Sequence, residues 1–139
     1  EPAILGRARL LRKGEQIAVI GTGEIANEVL KALKLLESEK IFPTAYQMHT
    51  VKPLDTNTLN SLAKEVHTMV VVEEHVPNGG LWAAVSAWHV SAETTPGMIR
   101  LGPPDSFVLG NLRQDELRRR LNFDANAIAN TCRLLWKKE

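Results

Sequence analysis

Val51-Lys52-Pro53-Leu54-Asp55, followed a helix length later by Val70-Val71-Val72-Glu73-Glu74-His75 and then Gly79-Gly80, decides how this chain is read. In both stretches a buried strand ends, charged residues emerge at its carboxyl end, and a turn leads into a helix. At that edge of an open α/β sheet, ligands and partner subunits collect. Met69 to Val72 is the most β-branched run in the chain and predicts a central strand. Asp55 is a natural N-cap for the helix that follows it, because its carboxylate can accept from the first free backbone N–H groups.

The same alternation extends outward. Ile17 to Ile20 is apolar enough for a strand buried on both faces, and Arg9-Leu10-Leu11 precedes it as a second strand across the turn at Lys13-Gly14-Glu15. Ile25, Val29, Ala32, Leu33 and Leu36 repeat at helical spacing between Gly23 and Glu37, opposite Lys31, Lys34 and Glu37. Pro43 to Met48 predicts a strand, and Leu59, Leu62, Ala63 and Val66 predict the stripe of a second helix. A third helix is expected from Gly80, burying Leu81, Ala84, Val85 and Trp88. Residues 91–97 read as a loop before a short strand, Met98 to Leu101. Leu117 and Leu121 suggest a short helix, and Asp124 can cap a last one that presents Ile128, Cys132 and Leu135 to the core. Strands alternating with helices at this spacing predict a mainly parallel sheet covered on both faces.

Composition sets the outer limits. A chain of 139 residues, 44% hydrophobic and 24% charged, suits one soluble globular domain with a single core. Its 17 basic and 16 acidic side chains leave a formal charge of +1, so no broad footprint for nucleic acid exists. Apolar runs stop well short of the roughly 20 residues of a membrane span, which predicts a soluble, cytoplasmic protein. Cys132 is the only cysteine, so no internal disulfide and no cysteine zinc cluster can form. The opening Glu1-Pro2 in place of methionine points to a processed or trimmed product.

Several motifs carry two readings. Gly21-Thr22-Gly23-Glu24-Ile25-Ala26 follows a strand and opens a helix, as a dinucleotide fingerprint does, but the next strand ends Gln47-Met48-His49 without the acid that would hold a ribose. A tight strand-to-helix turn is the favoured reading; a nucleotide-binding or regulatory module is the alternative. Glu73, Glu74 and His75 could form a proton-transfer site. Neighbouring strand residues point to opposite faces, however, so capping of the next helix and subunit contact is the preferred role. His49, His67, His75 and His89 lack metal-pair spacing. Lys52 could hold an anion or simply stand in solvent, and Arg118-Arg119-Arg120 reads as a solvated face. Trp88 falls on the core stripe, whereas Trp82 does not and is a candidate interface anchor.

Taken in order, Ala18 to Gly23, Met48 to Asp55, Glu73-Glu74-His75 with Gly79-Gly80-Leu81, and Gly102-Pro103-Pro104-Asp105-Ser106-Phe107 resemble the C-terminal domain of transketolase and its relatives. These include deoxyxylulose-phosphate synthase and the beta subunits of 2-oxo acid dehydrogenases. The resemblance covers about Leu5 to Leu135, and the His49-Thr50 and Glu74-His75 variants look most like transketolases split into two subunits. It implies one domain over residues 1–139, a three-layer α/β/α fold with a five-stranded mixed sheet, and one antiparallel strand, for which Arg9 to Leu11 is the candidate.

Trp82 and Asn122 stand where relatives commonly carry glycine. Asn tolerates the left-handed conformation, so the second departure is mild. The resemblance also implies that thiamine diphosphate and its magnesium are held by other domains or a companion subunit. This domain would then bind no cofactor or metal and perform no catalysis, serving instead in a homodimer. Lys52, Asp55, Glu74, His75, Gly79, Gly80 and Trp82 are the candidate anion or subunit contacts.

Overall fold

A computed structural model describes residues 4–49, 51–74, 80–104 and 113–138. Among the described residues, strands and helices follow in the order β1 (Arg9–Arg12), β2 (Gln16–Gly21), α1 (Ile25–Glu37), β3 (Thr44–Gln47), α2 (Thr56–Ala63), β4 (Val66–Val72), α3 (Leu81–Ser91), β5 (Gly97–Leu101), α4 (Gln114–Arg120) and α5 (Ala125–Leu135). The sheet order is β1-β3-β2-β4-β5. All pairs are parallel except β1 with β3, so the antiparallel strand is the one expected.

Period-two alternation sorts the two inner strands between the layers. Ile17 and Val19 of β2 with Val70 and Val72 of β4 face α1 and α5, where they meet Val29, Leu33, Leu36, Ile128 and Cys132. Ala18, Ile20, Met69 and Val71 face the other way, onto Leu59 and Leu62 of α2 and Leu81, Val85 and Trp88 of α3. Trp88 also ties the two helices of its layer together, its Nε1–H donating to Asn60 Oδ1 at 2.8 Å. The architecture is therefore the expected three-layer α/β/α sandwich.

Local signals behave as their chemistry dictates. Asp55 caps α2, accepting from Thr58 N at 3.1 Å, and Asp124 caps α5, accepting from Ala127 N at 2.9 Å. Asn122 takes φ of +60° between α4 and α5, the left-handed geometry its side chain tolerates. Three expectations need correction. Val66 belongs to β4, opposite Gln16 of β2, because α2 stops at Ala63 after only eight residues. Ala84 is only half-buried on α3. Arg118 is no solvated residue: its side chain is 12% exposed and paired with Glu74, while Arg119 and Arg120 do face solvent. Phe123, which no periodic stripe marks, is the largest fully buried side chain among the described residues.

Candidate functional site

The carboxyl edge of the sheet gathers the ends of β2, β3, β4 and β5 with the start of α3. Alternation continues through the two acids that leave β4. Glu73 lies on the α3 side, wholly buried, with its N–H still bonded to Leu101 O at 3.0 Å. Its Oε1 accepts from Trp82 N at 3.3 Å, and its Oε2 accepts from Arg100 Nε at 2.8 Å. One carboxylate thus caps α3 and fastens β5. Glu74 points the other way, accepting from Arg118 Nε and from Gln114 Nε2 of α4. The two acids cannot serve one substrate, and Glu73 performs the helix capping anticipated for the pair.

Asp55 sits on the next turn along this edge. Its Oδ2 accepts from Ala8 N at 2.8 Å and from Thr58 Oγ1 at 2.7 Å, which leaves the residue 9% exposed. Burial pushes its pKa up, but these hydrogen bonds, the one from Thr58 N and the nearby Arg7 charge outweigh that and bring it below the ordinary aspartate value. The carboxylate is therefore ionised and committed within the chain. Lys52 is exposed, as a side chain before a proline turn should be. Gly80 is buried as the N-cap of α3, and Trp82 is half-buried against the α2/α3 core. His75 and Gly79 lie outside the described residues.

The glycine turn has structural work for both of its glycines. A Cβ on Gly21 would stand 3.0 Å from Ile25 Cγ2 and 3.2 Å from Val29 Cγ2, so the missing side chain lets α1 close on β2. Gly23 supplies φ of +60°, favoured by glycine. Gln47, at the position where a ribose-binding acid would be needed, donates from Nε2 to Gly23 O at 3.3 Å. Glu24 is the N-cap residue of α1 and adds negative charge where a pyrophosphate would have to approach. A tight turn accounts for the whole motif.

The remaining concavities are shallow. One of about 580 Å³ lies between Ile4–Arg7 and α2, and its Lys13 is already paired with Glu65 at 2.7 Å. Among the described residues no three His, Cys, Asp or Glu side chains gather as a metal site. Nor is any helix among them long and apolar enough to cross a membrane. Cys132 is buried in the α1/α5 layer, where desolvation pushes its thiol up to about 12.

A family model for the transketolase C-terminal domain matches residues 6–128. The chain belongs to that family. Over 126 residues, 90% of this chain, it is 34% identical to 1-deoxy-D-xylulose-5-phosphate synthase of Parabacteroides distasonis. Over 135 residues, 97% of the chain, it is 33% identical to the Cytophaga hutchinsonii enzyme of the same name. It spans about a fifth of the length of either relative.

Among solved structures, a split gene transketolase in an inactive beta4 tetramer superposes with a TM-score of 0.82 at 26% identity. The match covers 94% of this chain and 42% of that one. A transketolase variant from Pichia stipitis shares the fold alone, with a TM-score of 0.65 at 14% identity over 92% of this chain and 18% of the other. The sequence motifs therefore led to the right family. They did not reveal Arg100 and Arg118, whose roles depend on carboxylates 27 and 44 residues away.

Proposed function

We propose that this chain is the non-catalytic C-terminal domain of a thiamine diphosphate-dependent transketolase, supporting the domains that hold the cofactor and joining a homodimer in the cytoplasm. The observation that carries this reading is the state of the carboxyl edge in a transketolase C-terminal domain: Asp55, Glu73 and Glu74 are each tied to the chain's own donors. A group so engaged is unsuited to moving a substrate proton. Among the described residues no three potential metal ligands gather, and Glu24 adds negative charge at the Gly21–Gly23 turn, which speaks against a magnesium-bound diphosphate there. Thiamine diphosphate would supply its chemistry on other parts of the parent enzyme, with its metal. What this chain's residues contribute is a rigid edge: Glu73 holds the start of α3, and Trp82 is presented beside it.

Assaying the isolated 139 residues with added thiamine diphosphate and magnesium tests the claim directly. No ketol transfer between sugar phosphates is expected, and measurable transfer would overturn it. The interface component has its own test in the complete parent, where Trp82→Glu should lower the mass seen by light scattering at low concentration. An unchanged mass removes Trp82 as an anchor.

A second reading has a specific basis. The curated relatives quoted above are deoxyxylulose-phosphate synthases, so the parent could form that product in place of transferring ketol units between sugars. Assaying the parent for both products separates the two. The nucleotide-binding alternative predicts micromolar NAD or ATP binding in a calorimetric titration, abolished by Gly23→Val.

A further inference from the structure

We propose that the Val51–Asp55 turn is an internal receptor for the segment that enters this domain, and that Asp55 is a positioning residue setting the angle at which the domain meets the rest of its enzyme. This rests on the proposed role as one domain of a larger parent. Three contacts from one short stretch, His49 to Asp55, reach across more than forty residues of sequence to residues 4–8. His49 Nε2 donates to Ile4 O at 2.8 Å. Gly6 turns with φ of +75° under Pro53, whose Cγ would lie 3.2 Å from an added Cβ. Ala8 N donates to Asp55 Oδ2 at 2.8 Å, across 47 residues of sequence.

Capping α2 does not require this arrangement. Thr58 N and Thr58 Oγ1 already satisfy the N-cap role of Asp55, so the bond to Ala8 is an additional use of the same carboxylate. Its second oxygen joins the entry segment to the helix terminus. Within this clasp the side chains of Ile4 and Leu5 are 53% and 81% exposed, an apolar pair on the pinned backbone. Preceding parts of the parent would find their exit direction fixed at Ala8 and an apolar foothold next to it. An entry segment held at both ends transmits orientation, whereas a free one would act as a flexible tether.

Asparagine at position 55 discriminates the two uses. Its amide has one acceptor oxygen, so an NH2 group must face either Ala8 N or Thr58 N, both of which are donors. Hydrogen exchange on the complete parent reads the clasp, and the distance between spin labels at Leu134→Cys and on the preceding domain reads the angle. Asp55→Asn should speed exchange of the 4–8 peptide by about tenfold or more, the factor carried by a hydrogen bond to a charged acceptor, and broaden the distance distribution. Thr58→Ala, which removes only the hydroxyl contact, should leave both near wild type.

Should Asp55→Asn fail to fold, His49→Ala decides, because it cuts the Ile4 contact and spares the cap. It is expected to speed exchange of the same peptide by severalfold and to broaden the distances. A wild-type distance distribution in whichever of these variants folds overturns the proposal, as does equal broadening in Thr58→Ala. These readouts do not depend on catalysis. A parent lacking thiamine-dependent activity but loosened by Asp55→Asn would refute the proposed function and leave the clasp standing.

Discussion

Replacing Glu73 by glutamine should be the most costly conservative change at the carboxyl edge. The side chain is wholly buried, and its two oxygens accept from Arg100 Nε and Trp82 N, so the amide must turn a donor toward one of those donors. Breaking a fully buried ion pair from one side costs about 3–5 kcal/mol. Here Arg100 keeps 13% of its side chain exposed and the glutamine oxygen retains one contact, which brings the expectation down to about 2–3 kcal/mol. With an unfolding entropy of roughly 0.3 kcal/mol per kelvin for 139 residues, Tm should fall by about 7–10 °C. Thermal unfolding followed by circular dichroism measures this. Lys13→Gln, which removes an exposed partner of Glu65, is the control and should not shift Tm measurably. A Glu73→Gln protein melting within about 2 °C of wild type would refute the reasoning, since a buried carboxylate joining β5 to α3 cannot be exchanged so cheaply.

Asp55 has a depressed folded pKa, so its stabilisation is complete above the unfolded aspartate value of about 4 and is lost as pH falls through the lower folded value. The stability gap between wild type and Asp55→Asn should therefore be constant from pH 6 to 8 and shrink below about pH 4 in urea titrations; a gap that widens on acidification would contradict the geometry. Cys132 should resist iodoacetamide at pH 8 in the folded chain and react once urea is added, because its thiol is buried and pushed up to about 12. Rapid labelling without denaturant would place it elsewhere. Gly21→Ala should lower stability by about 1–3 kcal/mol, because its methyl meets the buried methyls of Ile25 and Val29, whereas Gly23→Ala should cost only about 1 kcal/mol from its left-handed backbone. The opposite ranking in thermal unfolding would remove the packing account of the turn.

Burial of the inner strands was legible because it depends on short apolar runs: Ile17–Ile20 and Met69–Val72 are covered on both faces, while which helices cover each face is shown only by the packing. Asp55, Asp124 and Asn122 signalled helix ends through interactions with residues a few positions away. The boundary of α2 was harder. Val66 continues an acceptable helical stripe, and only its place opposite Gln16 makes it a strand residue. Phe123 gave no signal of its own, since a single aromatic after a left-handed turn has no period.

At the candidate site the sequence marked the acids but not their partners. Glu73 and Glu74 stood out as adjacent charges after a buried strand; Arg100 lay in a short strand and Arg118 in a run that looks solvated. Lys52 and Trp82 were found on the expected edge, one in solvent and one half-buried, while His75 and Gly79 lie outside the described residues.

By itself, then, the sequence determined the fold class, the family, the antiparallel first strand and the helix caps, all properties set by neighbours within about one turn or by motifs taken in order. Only the tertiary structure decided that Asp55 holds Ala8, that Glu73 holds Arg100 and that Glu74 draws Arg118 out of solvent. Those pairings join residues 27 to 47 positions apart. Which cation or amide a carboxylate meets at that range depends on how strands cross over and helices stack, and no local pattern encodes it.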